Sequence, residues 1–241
     1  FAFADRYLQS SLAAAVRPRL TAAMPPEDAV AVLVAHLFET CGFRGNEEDY
    51  YDPRNSFLND VLERRTGIPI SLAIVLLETA SRLGIPLEGV GFPGHFLVRV
   101  AGSMGPVFRD PFFAGRVLGG DQLLTRFRAV TGGRPAAVPA AALARTDAPG
   151  ILVRMLRNLL RLYLEAGDEP RALATVDLAL VVVPDAPDEL RVRGLLYEEL
   201  ECGSAALADF RRYLELAPEA PDADAIRGRV LRLGRTGTVL H

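Results

Sequence analysis

The stretch RRTGIPISLAIVLLETASRLGIPLEGVGFPGHFLVRV, residues 64–100, contains the change of pattern that decides the fold. Its first half has a long apolar body that ends at Gly84, which predicts a buried helix with Ser71 as its N-cap and the glycine as its stop. Its second half is interrupted by glycine and proline and is rich in Val, Phe and Ile, which predicts short strands. We therefore expect a helix followed directly by a small, mostly antiparallel sheet.

Further helices are expected before this stretch. Residues 4–41 have helical spacing, with Ala29, Leu33 and Leu37 on one apolar face. Gly42 follows them and is a plausible stop signal. A polar, turn-rich segment then separates this predicted helical region from the central stretch.

Shorter elements surround the central stretch. Residues 56–65, SFLNDVLERR, predict a short helix with Asn55 or Ser56 as its cap. After residue 100, PVFRDPF and GRVLG each predict a further strand. DQLLTRFRAV then predicts another helix, with Asp121 as its cap.

The last ninety or so residues contain an internal repeat. A tyrosine, an alanine and a proline each recur after 34 residues, and the two segments align without a gap: Tyr163 with Tyr197, Ala172 with Ala206, and Pro184 with Pro218. This period is typical of tetratricopeptide repeats, which are pairs of antiparallel helices. PDADAIRGRVLRLG, residues 221–234, predicts a closing helix that covers the last apolar face.

These patterns predict an α+β fold followed by an all-α domain. Residues 1–130 form the first domain, which combines helices with a small antiparallel sheet. Residues 131–146 are rich in Gly, Pro and Ala, and we interpret them as a linker. Residues 147–241 form the helical repeats with their closing helix.

The composition excludes several classes of function. The net charge of −3 argues against a broad basic surface for nucleic acid, and the longest uncharged apolar run, Ile68 to Leu77, is too short to cross a membrane. Residues 1–10 do not have the pattern of a signal peptide. Cys41 and Cys202 form no CxxC pair, so we expect a cytoplasmic protein. Neither a phosphate-binding glycine loop nor a zinc-ligand pattern is present in the sequence, so we expect no cofactor and no metal.

Three residues of the first domain form a candidate catalytic set. We interpret His95 and Asp110 as strand residues, a base and the carboxylate that orients it. Ser71, at the start of a helix, would complete the set as a nucleophile. Each residue also has a structural interpretation, in which Ser71 caps its helix, His95 is a core side chain and Asp110 begins a turn.

Other residues near this set are weaker candidates. Asn59 or Asn55 would be able to donate a hydrogen bond to an oxyanion, although capping is an alternative role for Asn55. Cys41 is either a substitute thiol or a small buried hydrophobic side chain. The acidic residues between positions 47 and 52 lack the spacing of a calcium loop. Three arginines, Arg99, Arg109 and Arg116, either recognise an acidic group or are solvated strand ends.

The stretch quoted above, together with the following FRDPF, resembles the core of the transglutaminase-like superfamily, which has a papain-type fold. It is more closely similar to a bacterial branch in which this core precedes tetratricopeptide repeats, the invasion-regulator (SirB-type) branch. The resemblance covers about residues 26–234. It implies a Cys–His–Asp triad for acyl transfer or amide hydrolysis, in which His95 matches the family histidine and Asp110 the family aspartate.

The nucleophile is where this sequence departs from the family pattern. When Gly67, Ala73 and Gly84 are aligned without gaps, the family's cysteine position falls on Pro69, which has no nucleophilic atom. Ser71 lies two residues further on. A serine hydroxyl is harder to deprotonate than a thiol and would depend on a neighbouring base.

Three functions are therefore open at this point. The first is a non-catalytic or vestigial domain that acts with the repeats as a regulatory module and binds a protein or peptide. The second is a serine-dependent hydrolase or acyltransferase that uses Ser71, His95 and Asp110 on amide or ester bonds. The third is a structural adaptor in which the His95–Asp110 pair only stabilises the sheet. A Ser71 hydroxyl within hydrogen-bond reach of His95 would favour the second function.

Overall fold

Prolines interrupt the N-terminal helical region. The computed structural model describes residues 8–236, so residues 4–7 of the predicted helix lie outside the described residues. A π-helical turn, Leu8–Ala13, leads into α1, Ala14–Val16, and a 3-10 turn, Arg17–Arg19. Helix α2, Pro26–Val34, begins only after a break and continues into a second π-helical turn, Ala35–Thr40.

The prediction of a helix through residues 20–25 is therefore wrong. Pro26 disfavours helical dihedrals at Pro25, which instead has φ −56° and ψ 145°, and α2 starts directly after it. The predicted apolar face is confirmed, since Ala29, Leu33 and Leu37 are all buried. Gly42 lies just beyond the second π-helical turn with a φ of +74°.

The first sheet was not predicted and consists of two short parallel strands. β1, Arg44–Gly45, pairs with β2, Thr66–Gly67. A 3-10 turn, Pro53–Asn55, and helix α3, Leu58–Arg64, lie between them in the chain. The N-cap of α3 is Phe57, with no side-chain hydrogen bond, so the prediction of Asn55 or Ser56 as the cap is wrong.

The central helix α4 spans Pro69–Leu83, and its N-cap is Ile68. The prediction of Ser71 as the N-cap is therefore wrong, because Pro69 fits the first helical position, where no backbone N–H is needed. Ser71 is the third residue of the helix. Most of α4 is buried, as is expected of a helix that is apolar on nearly every side. The predicted stop at Gly84 is confirmed by its left-handed φ of +73°.

The predicted antiparallel sheet is confirmed. Its four strands follow one another in chain order: β3, Glu88–Val90; β4, Leu97–Gly102; β5, Gly105–Asp110; and β6, Arg116–Leu118. A buried cluster of Phe92, Leu97, Phe108 and Leu118 packs with Leu123 of the next helix. α4 contacts the same sheet through β3 and β4.

Helix α5, Gly120–Thr131, follows the sheet. Its N-cap is Gly119, whose N–H donates to the side-chain oxygen of Gln122 at 3.0 Å, so the prediction of Asp121 as the cap is wrong. The side chain of Gln122 caps the helix instead, because an acceptor at the third helical position can reach back to the N-cap N–H.

The segment predicted as a linker runs beside β3. The Thr146 N–H donates to Gly89 O at 2.8 Å, and the Gly91 N–H donates to the Thr146 hydroxyl oxygen at 2.8 Å. A 3-10 turn, Ala140–Leu143, lies within this segment. The chain divides into two compact units, residues 1–151 and 152–241.

The second unit contains paired helices, as the repeat predicts. Helix α6 starts just before the division, and the helices are α6, Ala148–Glu165; α7, Glu169–Val182; α8, Pro187–Glu199; α9, Gly203–Leu216; and the closing helix α10, Ala223–Thr236. Ala172 and Ala206 are fully buried, Tyr163 is in the core, and a Cβ at Gly194 would lie 2.6 Å from the ring of Phe210. In the part of the chain that the structure describes, no helix combines the length and apolarity needed to span a bilayer.

Candidate functional site

His95 lies in a tight turn between β3 and β4. The turn is closed by a hydrogen bond from the His95 N–H to Phe92 O at 3.0 Å. Gly94 has a φ of +65°, and a Cβ there would lie 2.9 Å from a methyl carbon of Val130. Only glycine meets both demands at this position. The prediction that His95 lies in a strand is therefore wrong: β4 begins at Leu97, two residues after the histidine.

Asp110 is the last residue of β5 and caps a 3-10 turn, Pro111–Phe113. Its side chain is fully buried, and its Oδ1 accepts the Phe112 N–H at 3.1 Å. The same oxygen lies 2.7 Å from Nε2 of His95. The expected hydrogen bond between the two side chains is thus present, and so is the predicted turn. When Nε2 donates to the carboxylate, Nδ1 becomes the acceptor nitrogen of the neutral ring.

Arg126 of α5 is a second partner of Asp110 that sequence reasoning missed. Its Nη1 lies 2.9 Å from the buried Oδ2, although the alignment is that of an ion pair rather than of a good hydrogen bond. A buried carboxylate needs a compensating cation. That requirement predicts some basic partner for Asp110, but sequence spacing does not identify which arginine supplies it.

Aromatic rings surround the histidine. The ring of Phe113 stacks on His95 with an interplanar angle of 17° and a centroid distance of 6.3 Å. The guanidinium carbons of Arg116 and Arg126 each lie 5.3 Å from the centroid of Phe113. A shallow cleft of about 420 Å³ opens beside these side chains, and Tyr50 also lines it.

The cleft is connected to the start of the central helix through the first sheet. Gly45 of β1 lies so close to the Pro111–Phe113 turn that a Cβ would be 2.6 Å from Phe112 O. The ring of Tyr50 makes an edge contact with Phe112 at 5.8 Å between centroids. The β1–β2 pair therefore holds the aromatic turn near the loop that precedes α4.

Ser71 is fully buried, and its hydroxyl bonds to the backbone. It donates to Asn55 O at 2.6 Å and accepts from the Ile68 N–H at 3.1 Å. A Cβ at Gly67 would lie 2.6 Å from this hydroxyl oxygen, so the hydroxyl occupies space that only a glycine leaves open. Ser71 makes no hydrogen bond to His95, and it is not among the residues that line the cleft.

The two candidate oxyanion donors, Asn55 and Asn59, occupy different environments. Asn55 is fully buried, and its side-chain amide donates to Asp49 O at 2.8 Å and Tyr50 O at 3.2 Å. It holds the loop that carries Tyr50. Asn59 lies exposed in the first turn of α3.

Cys41 forms a pair with a histidine outside the cleft. Its Sγ lies 3.4 Å from Nε2 of His36. Burial raises the pKa of the Cys41 thiol and lowers the pKa of His36. Both shifts favour the neutral forms, so the contact is not the thiolate–imidazolium pair that a cysteine nucleophile needs.

The arginines near the strands differ in their partners. Arg99 forms an ion pair with Glu88 and donates to Leu143 O at 3.0 Å. Arg109 donates to Gly115 O at 3.1 Å, and burial lowers its pKa. Within residues 8–236, no three His, Cys, Asp or Glu side chains converge as a metal site requires.

Comparisons with known proteins agree with this architecture. Residues 7–157 match the family model of the transglutaminase-like superfamily, and residues 159–230 match that of the tetratricopeptide repeat. The chain is 45% identical over 214 residues to a "UPF0162 protein" of Xylella fastidiosa strain Temecula1, a match that covers 88% of this chain and 76% of that protein. It is 28% identical to "UPF0162 protein YchA" of Escherichia coli K12, with 95% and 85% of the two chains covered. Mouse "F-box only protein 21" is 36% identical over 171 residues, which are 68% of this chain and 27% of that protein.

Proposed function

Since the chain belongs to the transglutaminase-like superfamily, we propose that it is a non-catalytic, regulatory member that binds a protein or peptide. In this proposal the cleft beside His95 is a binding site, and the tetratricopeptide repeats supply a second interaction surface. We also assign the chain to the invasion-regulator branch, on the order of its two domains. Its unpaired cysteines are compatible with a reducing compartment, and we propose the cytoplasm.

The environment of Ser71 is the observation that supports this proposal. A nucleophilic serine needs a base that takes its proton and an approach path for the substrate. The Ser71 proton is donated to a backbone carbonyl oxygen, and the side chain is fully buried. Pro69, which aligns with the family's cysteine, begins the helix and supplies no alternative nucleophile.

A labelling experiment tests the non-catalytic part of the proposal. A fluorophosphonate probe reacts with serines that a general base activates, and it would be applied to the full chain and to its Ser71→Ala and His95→Ala variants. We expect no labelling of any of the three proteins. Labelling of the wild type that disappears in both variants would show a working serine nucleophile and would refute the proposal.

A selection experiment tests the binding part. A displayed peptide library would be selected on the full chain alone, and the binding of each enriched peptide would then be measured on the wild type and on the Phe113→Ala variant, which lacks the exposed ring of the cleft. Phe113 is 37% exposed, so its truncation leaves the buried core in place. We expect peptides that bind the wild type and not the variant. A selection in which every enriched peptide binds both proteins equally would remove the cleft as the binding site.

A further inference from the structure

Arg126 contributes only part of its hydrogen-bonding capacity to the fold. A guanidinium group has five N–H donors in a fixed planar arrangement. Among the described residues, the polar partner of Arg126 is Asp110, reached through Nη1 alone. Its side chain is 27% exposed, and it lines the cleft beside His95. The remaining donors of this arginine are therefore available to a ligand.

Arg116 is held by an aromatic ring and not by a carboxylate. Its guanidinium lies 5.3 Å from the centroid of Phe113, and it forms no ion pair with a residue that the structure describes. Stacking on a ring restricts a guanidinium group without neutralising its charge. Phe113 thus contacts two arginines, Arg126 in the lining of the cleft and Arg116 next to that lining, and both can still pair with an anion.

The charges around the cleft are unbalanced. Asp110 is completely buried, and its carboxylate already has His95 and Arg126 as partners. Without counting His95, the two arginines and this carboxylate leave one positive charge beside the cleft. The whole chain, by contrast, has a net charge of −3. A local positive charge next to a cleft attracts an anionic group.

Most of the remaining lining of the cleft is apolar. Pro93, Phe112 and Val130 line it together with Phe113. Its volume of about 420 Å³ is in the lower part of the range for small-ligand sites and suits one or two residues of a peptide. An arginine beside an aromatic wall matches a carboxylate that is carried on an apolar body.

We propose that this cleft recognises a carboxylate of a peptide, paired with Arg126 and Arg116, while an adjacent apolar side chain packs on Phe113. This inference rests on the proposed binding function and specifies its ligand. The carboxylate comes either from the C-terminus of the peptide or from an acidic side chain, and both sources present the same chemistry to the two arginines.

Three synthetic peptides test the proposal by NMR titration of the isotope-labelled full chain. The first is Ac-GSGSGF with a free C-terminus, the second is the same peptide as the C-terminal amide, and the third is the amide Ac-GSEFGS, which has an internal carboxylate. We expect the first or the third peptide to shift the signals of His95 and Phe113 in a saturable way. We expect the neutral amide to bind at least tenfold more weakly than the better carboxylate peptide.

Substitutions of single arginines complete the test. We expect Arg126→Gln to weaken binding of the carboxylate peptide at least tenfold and Arg116→Gln to weaken it severalfold. The second variant leaves the Asp110–Arg126 ion pair intact, so it remains informative if the first one unfolds. Arg128→Gln is the matched control, because Arg128 lies on the same helix but donates to Pro135 O. It removes the same charge and should bind as the wild type does.

The results that overturn this inference differ from those that overturn the proposed function. Equal binding of the amide and acid peptides, no binding of any of the three, or wild-type affinity in both Arg116→Gln and Arg126→Gln would refute carboxylate recognition. Labelling of Ser71 by the fluorophosphonate would instead refute the non-catalytic function and leave the arginine measurements unaffected.

Discussion

Replacement of Ser71 by alanine is the sharpest test of what this residue does. The hydroxyl oxygen accepts from the Ile68 N–H at 3.1 Å and donates to Asn55 O at 2.6 Å, and all three residues are buried. Because alanine has no hydroxyl, the Ile68 N–H and the Asn55 carbonyl oxygen both lose their hydrogen-bond partner. A buried donor or acceptor left without a partner costs about 1–3 kcal/mol.

The expected loss follows from these two groups. The two unpaired backbone groups together cost about 3 kcal/mol of stability. This figure is below the upper limit for two groups, because the second lone pair of the carbonyl oxygen can still accept a hydrogen bond. The higher helix propensity of alanine offsets about 0.5 kcal/mol. We therefore expect Ser71→Ala to lower the free energy of unfolding of the first unit by about 2–3 kcal/mol.

Native-state amide hydrogen exchange in α4 is the appropriate assay, because the chain has two units and a single global transition cannot be assumed. Ser81→Ala is the matched control. Ser81 is exposed on the same helix, so its replacement should change stability by less than about 0.5 kcal/mol. A loss for Ser71→Ala as small as that of the control would refute the structural role that we assign to the hydroxyl.

Three further substitutions have defined outcomes. Gly94→Ala should destabilise the first unit by about 1–3 kcal/mol and shift the NMR signals of the cleft, because φ is +65° and the new Cβ would lie 2.9 Å from Val130; unchanged signals would contradict this. Gly194→Ala should lower the melting temperature of the repeats, since its Cβ would lie 2.6 Å from the ring of Phe210; an unchanged melting temperature would show that the ring can move aside. The hydrogen bond from a neighbouring arginine side chain holds the pKa of Asp52 below its usual value, so its contribution to stability is present above about pH 4 and is lost as the pH falls through the lowered pKa. Asp52→Asn should therefore reduce stability at pH 7 and flatten the acid limb of a urea-midpoint profile; an equally steep limb would contradict the assignment.

The architecture was predictable because its signals are local in the sequence. The apolar body of α4, its stop at Gly84 and the 34-residue repeat each depend on spacing within one or two elements. The break before α2 had an equally local signal in Pro25 and Pro26, which the hydrophobic periodicity outweighed. Prolines restrict the backbone whatever the surrounding pattern, so the helix breaks at Pro25 in spite of the periodicity.

The site was predictable only in part, because its remaining members meet through tertiary packing. The family resemblance identified His95 and Asp110, and the structure brings them within hydrogen-bond distance. Arg126 comes from a helix further along the chain, and no spacing rule relates it to Asp110. The acceptor of the Ser71 proton, Asn55 O, is a backbone atom, so no residue type in the sequence signals it.

The contacts of Asp110 show what the histidine–aspartate pair contributes to the fold apart from any proton transfer. Only one of its three partners, His95, is a group that takes part in proton transfer. The Phe112 N–H and Arg126 are the other two, and they fix the turn and the helix that both line the cleft. Loss of this carboxylate would leave the partly exposed Arg126 without its ion-pair partner and a turn without its cap, which are costs to stability that do not depend on catalysis. Under the binding function proposed above, Asp110 therefore has a role in the shape and charge of the cleft that requires no proton transfer.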